Sequence, residues 1–159
     1  MANEFYVTVE GTKQGRLQGE SLRVEHEGKL AGISFHYALS SPREVASGMA
    51  SGKRQHRPIS FVKEWGAASP QLFQAAVTNE TLKLVLFEFV RTNENGEDVV
   101  HHTIRLTNAA ISDIEQFING EPVPPADPRA LERISMTFQT IQMENLEGQT
   151  SAIDELRSR

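Results

Sequence analysis

Cysteine is absent from the 159-residue chain, which excludes a disulfide framework, thiolate chemistry and cysteine-ligated metal. Long apolar runs are absent too. Nothing approaches the roughly 18 consecutive apolar residues of a spanning helix, so no membrane insertion is expected. Positive charge is short: 16 Lys and Arg stand against 21 Asp and Glu, a formal net charge of −5. That is the wrong sign for a nucleic-acid binder, whose phosphate contacts need clustered cations. The N-terminus, MANEFYVTVEG, lacks a basic segment, an apolar segment and a cleavage site, and runs directly into a strand pattern. The expectation is a protein made and folded in the cytoplasm. If it leaves the cell, it is secreted without a cleavable signal peptide, by another machine.

Catalytic patterns are missing as well. The five histidines, His26, His36, His56, His101 and His102, form neither HExxH nor His-x-His. His101 and His102 are adjacent, and on a strand neighbours point to opposite faces. They therefore read as packing or surface residues rather than a metal site. No Gly-x-Ser-x-Gly elbow occurs, and Glu94, Glu97 and Asp98 sit in a turn as solvated charges. The expectation is a non-enzymatic protein with no catalytic, cofactor or metal residues.

What is present is a succession of strands. Phe5, Val7 and Val9 alternate with polar neighbours, as a half-buried strand does. Leu30 to Leu39 reads the same way. Residues 40–57 show no usable period, and a connection of this length in a compact domain generally has a function. Thr81 to Arg91, TLKLVLFEFVR, is apolar on both faces, and both must be covered. A barrel interior covers one; the helix after Ser69, or a neighbouring subunit, must cover the other. Asn95-Gly96 marks a hairpin turn. Further strands are expected over 100–106, 110–118 and 132–143, with a proline-dense loop over 120–128 that cannot join a central ladder. The fold expected is mostly β: a barrel of two packed antiparallel sheets with one short α-helix, 70–78. It occupies 1–145 as a single domain, with 146–159 as a polar C-terminal tail.

The stretch 51–76 organises this pattern. A basic turn ends at Pro58, a short strand closes at Lys63-Glu64, and Ser69-Pro70 opens the helix, Ser as N-cap and Pro at the first helical position. Ser51-Gly52-Lys53, Pro58, Lys63-Glu64 and Ser69-Pro70-x-Leu72, with Gly19-Glu20-Ser21 upstream, occur in the order and spacing of one family. The sequence resembles Hcp, the haemolysin-coregulated tube proteins of bacterial type VI secretion. It departs from them at Trp65-Gly66-Ala67, where more polar residues are usual, and at Asn79-Glu80, where a glycine is frequent after the helix.

The resemblance implies a homo-hexameric ring, stacked on other rings of itself into an inner tube. Its further partners would be a VgrG-like spike protein, a contractile sheath and secreted effectors held in the lumen. It also implies that the extended loop 40–57 reaches the neighbouring ring. Arg43, Glu44, Lys53, Arg54, His56 and Arg57 are the stacking candidates. Candidates for the contact between subunits are Trp65, Leu72, Phe73, Phe87 and Phe89, with the helix and the exposed faces of strands 81–91 and 132–143. Trp65 has a second reading, as a plug of the barrel end beside Phe61 and Phe73. Two other architectures compete: a non-enzymatic β-barrel adaptor and a phage-like tail-tube protein.

Overall fold

The computed structural model describes residues 4–118 and 129–156, so the proline-dense loop lies outside the described residues. Apolar alternation builds the first strand, β1 (Glu4–Gly11), which continues through a tight turn into β2 (Gly15–Arg16). The chain then forms β3 (Leu30–Gly32), β4 (Ser34–His36), β5 (Leu39–Ser40), β6 (Gln55–His56) and β7 (Ile59–Glu64). Helix α1 spans Ala68–Val77. It is followed by β8 (Leu82–Thr92), β9 (Asp98–Ile118), β10 (Ala130–Thr137), β11 (Thr140–Asn145) and β12 (Thr150–Glu155).

The main strands pair antiparallel in the order β1, β8, β9, β10, β7, β4. The circuit closes because β3 pairs with β1 while β4 pairs with β7. Between them the Ile33 N–H donates to the Val62 carbonyl at 2.7 Å. Closure removes the free edges that an open sheet would present. It also requires Gly32: a Cβ there would lie 2.0 Å from the Phe5 ring. Val7, Val9, Phe61, Val85, Phe87, Leu106, Ile134 and Met136 fill the interior.

The two strands expected over 100–106 and 110–118 are one, β9. It passes Asn108 at a φ of +53°, a backbone region that Asn tolerates. Its first half pairs with β8 and β11 and its second half with β10. The strand expected over 132–143 is instead two, β10 and β11, broken at Phe138-Gln139. Within the stretch read as a polar tail, β12 pairs along the whole of β11. Backbone pairing orders it where apolar content gave no signal.

A register shift overturns the opposite-faces geometry expected of the histidine pair. Phe89 stands opposite His102 and Val90 opposite Val100, so His101 is the extra residue of a β-bulge. A bulge breaks strict alternation, and both imidazoles line the same pocket.

Helix α1 starts one residue before Ser69, which is therefore not its N-cap. No side-chain cap bond forms at Ala67. The Ser69 hydroxyl instead accepts from the Gly66 N–H at 3.0 Å and donates to Glu132 at 2.5 Å. Ala68, Leu72 and Ala75 turn into the core. The helix packs on β9. It ends in a Schellman motif: Glu80 N–H to the Ala75 carbonyl, Asn79 N–H to the Ala76 carbonyl. Asn79, at a φ of +54°, fills the left-handed position where glycine is commoner. The departure at Asn79-Glu80 is thus conformationally equivalent.

Two buried carboxylates tie these elements together. Glu132 on β10 and Lys63 on β7 are each 0 % exposed and are direct cross-strand partners. The ammonium donates to Glu132 at 3.0 Å and to the Glu64 carbonyl at 2.6 Å. Gln116 on β9 donates to the other oxygen of Glu132 at 3.2 Å. Glu80, 2 % exposed, accepts from the backbone N–H groups of Lys13 and Gln14, both at 2.8 Å. Gly11 leaves the necessary room, since a Cβ there would meet Glu80 at 2.0 Å.

Glu132→Gln removes the nearest counter-ion of the buried ammonium, leaving only Glu20 at 3.8 Å, and costs about 3 kcal/mol, a fall in Tm of roughly 6–12 °C by calorimetry at this chain length. For Glu80, burial raises the pKa, but the bonds from Gln14 and Lys13 outweigh it and leave the group below its ordinary value of 4.5. Its contribution is therefore present above that value and lost as pH falls through the carboxylate range. Urea midpoints measured from pH 6 to pH 3 should fall less steeply in Glu80→Gln, which costs about 2 kcal/mol at neutral pH.

Candidate assembly surfaces

Residues 41–57, aperiodic in sequence, form a hydrogen-bonded projection. Leu39 pairs with His56 and Ser40 with Gln55 at its base. Above them the Ser51 N–H donates to the Pro42 carbonyl at 3.0 Å, and Glu44 N–H to the Met49 carbonyl at 2.7 Å. Arg43 and Ala50 are bridged. Gly48, at a φ of +72°, lets the tip turn. The tip carries two uncovered apolar side chains, Val45 at 101 % and Met49 at 67 % relative exposure. Nothing in the sequence singled these out, because each is an isolated apolar residue among polar ones.

The candidate loop residues divide into two groups. Arg43, Glu44, Lys53 and Arg57 are exposed. Arg54 and His56 are held by the protomer itself. The Arg54 guanidinium grips Asp154 of β12 with two bonds of 2.6 and 2.7 Å, and reaches the Glu155 carbonyl at 3.1 Å. The His56 ring stands 2.6 Å from Asp154 through Nε2 and 2.6 Å from the Tyr37 hydroxyl through Nδ1. Hydrogen bonds from Arg54 and then His56 bring the Asp154 carboxyl down to about 2. Burial, with the Asp154 charge adding to it, pushes the Tyr37 phenol up. The loop base and the last strand are thus latched together. Sequence reading missed Asp154, which lies 100 residues from Arg54 in a stretch that looked merely polar.

The subunit-contact candidates divide similarly. Leu72 and Phe87 are both 0 % exposed. They pack inside the protomer's own core and cannot meet a second chain. Phe89 is half-buried in an aromatic cluster, 5.4 Å from Phe5 and 5.1 Å from Phe35 between ring centres. Phe73 at 60 % and Trp65 at 44 % remain exposed. The Trp65 indole N–H donates to the Leu131 carbonyl at 2.7 Å, so the ring is anchored at one end.

Helix α1 does not resolve the second apolar face of β8. It lies on β9, leaving Leu84 and Leu86 half-buried on the outer wall beside the Lys29–Glu88 ion pair. Between α1 and the second half of β9 runs a cleft of about 500 Å³, lined by Phe73, Ala76, Val77, Ile111 and Ile114 and by the polar Asn79, Ser112, Asp113 and Gln116. Val77 at 59 % in the cleft wall and Ile118 at 55 % at the end of β9 are exposed apolar side chains. Among the described residues no group of three or more His, Asp or Glu side chains is placed to hold a metal.

Residues 6–144 match the family described as "Type VI secretion system effector, Hcp". The chain belongs to the Hcp family. It is 29 % identical to the "Major exported protein" of Pseudomonas aeruginosa, over 99 % of this chain and 98 % of that one. Among solved structures, a protein described as Hcp superposes with a TM-score of 0.86 at 25 % identity, covering 97 % of this chain and 99 % of its own. The secreted protein Hcp3 of Pseudomonas aeruginosa gives 0.80 at 25 % identity, covering 99 % and 100 %. The antiparallel barrel with one short helix is therefore a full-length Hcp fold, and the chain is a type VI secretion protein.

Within this Hcp fold the latch has a pH signature. Asp154 titrates below its ordinary value of 3.8, so its contribution is complete above that pH and is lost as pH falls towards about 2. Hydrogen exchange should show the amides of 150–155 losing protection over this window before those of β8. At neutral pH, Asp154→Asn should weaken the same amides by about 1 kcal/mol.

Proposed function

We propose that the chain closes into six-membered rings that stack into the inner tube of a type VI secretion apparatus. It is expelled with that tube, beneath a spike protein and inside a contractile sheath, with effectors carried in the lumen. Its mechanism is assembly and transport, not catalysis. The reading is carried by one observation: a barrel that matches the Hcp fold along its length and keeps large apolar side chains exposed. Phe73 and Val77 line one cleft, Ile118 is exposed at the end of β9, and Leu84 and Leu86 are half-buried on the outer wall. Patches of this kind on a soluble chain mark contacts with another protein.

A ring built from one face against a different face is a heterologous contact, and the same logic repeated along the axis gives a stack. The projecting loop is the element available for the axial contact. Its exposed Arg43, Glu44, Lys53 and Arg57 set its charge, and Val45 with Met49 supply apolar area at the tip. Arg54 and His56 serve this loop indirectly, by holding its base to β12.

Size-exclusion chromatography with light scattering tests this on untagged protein at moderate salt. The expected mass is near six times 17.7 kDa. Phe73→Asp, at an exposed helix position that costs the fold little, should shift the population to monomer. A wild-type monomer at high concentration would overturn the ring and favour a monomeric adaptor.

A further inference from the structure

The connection between β2 and β3 closes on itself over residues 21–29. At its base the Gly19 N–H donates to the Gly28 carbonyl at 2.9 Å, the Gly28 N–H to the Ser21 carbonyl at 2.9 Å, and the Ser21 N–H to the Lys29 carbonyl at 3.0 Å. Little of the loop packs: Leu22 at 92 % and Val24 at 78 % relative exposure stand in solvent. Two side chains hold it to the wall made by β1 and β8. Arg23 pairs with Glu4 and with Asp98. His26, itself buried, lies flat on the Tyr6 ring, with centres 4.4 Å apart and planes inclined at 5°. Between them Glu25 takes a φ of +72°, a left-handed backbone that a non-glycine residue adopts only at a cost. The loop is a strained segment fastened at two points beyond its base.

The second fastening fits only one protonation state. The Lys29 ammonium lies 3.3 Å from the His26 Nδ1 and donates to Glu88 at 2.6 Å. An ammonium has donors and no acceptor, so Nδ1 is the bare, accepting nitrogen and the ring is neutral. A proton on Nδ1 sets donor against donor and positive charge against positive charge. We propose that residues 21–29 form an acid-released flap: as pH falls, a proton on the His26 Nδ1 breaks its contact with Lys29 and lifts the loop from Tyr6, while the barrel beneath stays closed.

The groups facing the imidazole set the direction. Burial is the largest influence and holds the His26 pKa below its ordinary value of 6.5, with Lys29 and Arg23 acting the same way and Glu88 and Glu25 opposing them. The Tyr6 ring face attracts a cation, but the phenol itself stays neutral, since burial and then Asp98 push its pKa up. The docked loop therefore binds fewer protons than the released one. Docking is at full strength above 6.5 and is lost as pH falls below that value. A single proton limits the gain in open population to about tenfold per pH unit. Release bares Tyr6 and carries Leu22 and Val24 off the wall, so that this face of the protomer differs in acid. None of this depends on ring assembly.

Amide exchange followed by NMR from about pH 7.5 to about pH 5, the range in which histidine changes charge, tests the proposal. Protection factors are corrected for the intrinsic pH dependence of exchange. Those of the His26, Gly28 and Lys29 amides should fall below pH 6.5 by up to about tenfold per unit, while those of Val7 on β1 and Phe87 on β8 hold. His26→Phe keeps a ring on Tyr6 but takes no proton, and should abolish the dependence. If that variant does not fold, the His26 imidazole titration in the wild-type protein decides: its midpoint should lie below 6.5 and coincide with the loss of protection. Loop amides that stay protected to pH 5, an unchanged dependence in His26→Phe, a His26 titration without loss of loop protection, or β8 opening in step with the loop would overturn the flap.

Discussion

Everything in this barrel is arranged around a lysine and a glutamate that see no water. Lys63 and Glu132 face each other across β7 and β10, and the charges are affordable only because every nearby element contributes. Gln116 comes from β9, Ser69 from the first turn of the helix, and the Glu64 carbonyl from the end of β7. Glu20, from the first long connection, lies 3.8 Å from the ammonium. Burying an ion pair is poor evidence for stability on its own, since a well-packed apolar pair does as well. Its effect here is to fix geometry. Ser69 cannot both satisfy Glu132 and cap the helix, so α1 begins earlier and its first turn is pinned to β10.

That pinning decides which side of the helix the protomer keeps. Ala68, Leu72 and Ala75 enter the core, and Phe73 and Val77 are left outside. Glu80 secures the other end by holding the β1–β2 turn against the helix C-terminus. With both ends fixed, the helix cannot roll to cover the outer wall of β8. A protomer that completes its own barrel therefore leaves its second apolar face to be covered by something else. The latch from Arg54 and His56 to Asp154 works in the same manner on the projecting loop, anchoring its base while the tip stays uncovered.

Much of this was legible in the sequence where periodicity carries the information. Alternation placed β1, a run apolar on both faces placed β8, and Ser69-Pro70 marked the start of the helix to within two residues. Hydropathy could not separate core from contact surface, so Leu72 and Phe87 were read as candidates for a subunit contact although they are fully buried. Strict alternation also hid the bulge at His101, because an inserted residue leaves no compositional trace. The Asp154 latch and the burial of Glu132 were invisible for another reason. Both depend on partners far along the chain or on a neighbouring strand, and a polar residue carries no sign of whether it will find one.

The central claim is that the faces left uncovered by this rigidly pinned helix and closed barrel are where copies of the chain meet. Electron cryo-microscopy of the untagged, unmodified protein at high concentration tests it most directly. The account predicts six-fold rings whose subunit boundaries bury Phe73, Val77 and the outer wall at Leu84 and Leu86, with the Val45–Met49 tip reaching an adjacent ring. Rings whose boundaries leave those side chains in solvent would contradict it, as would a population of isolated protomers.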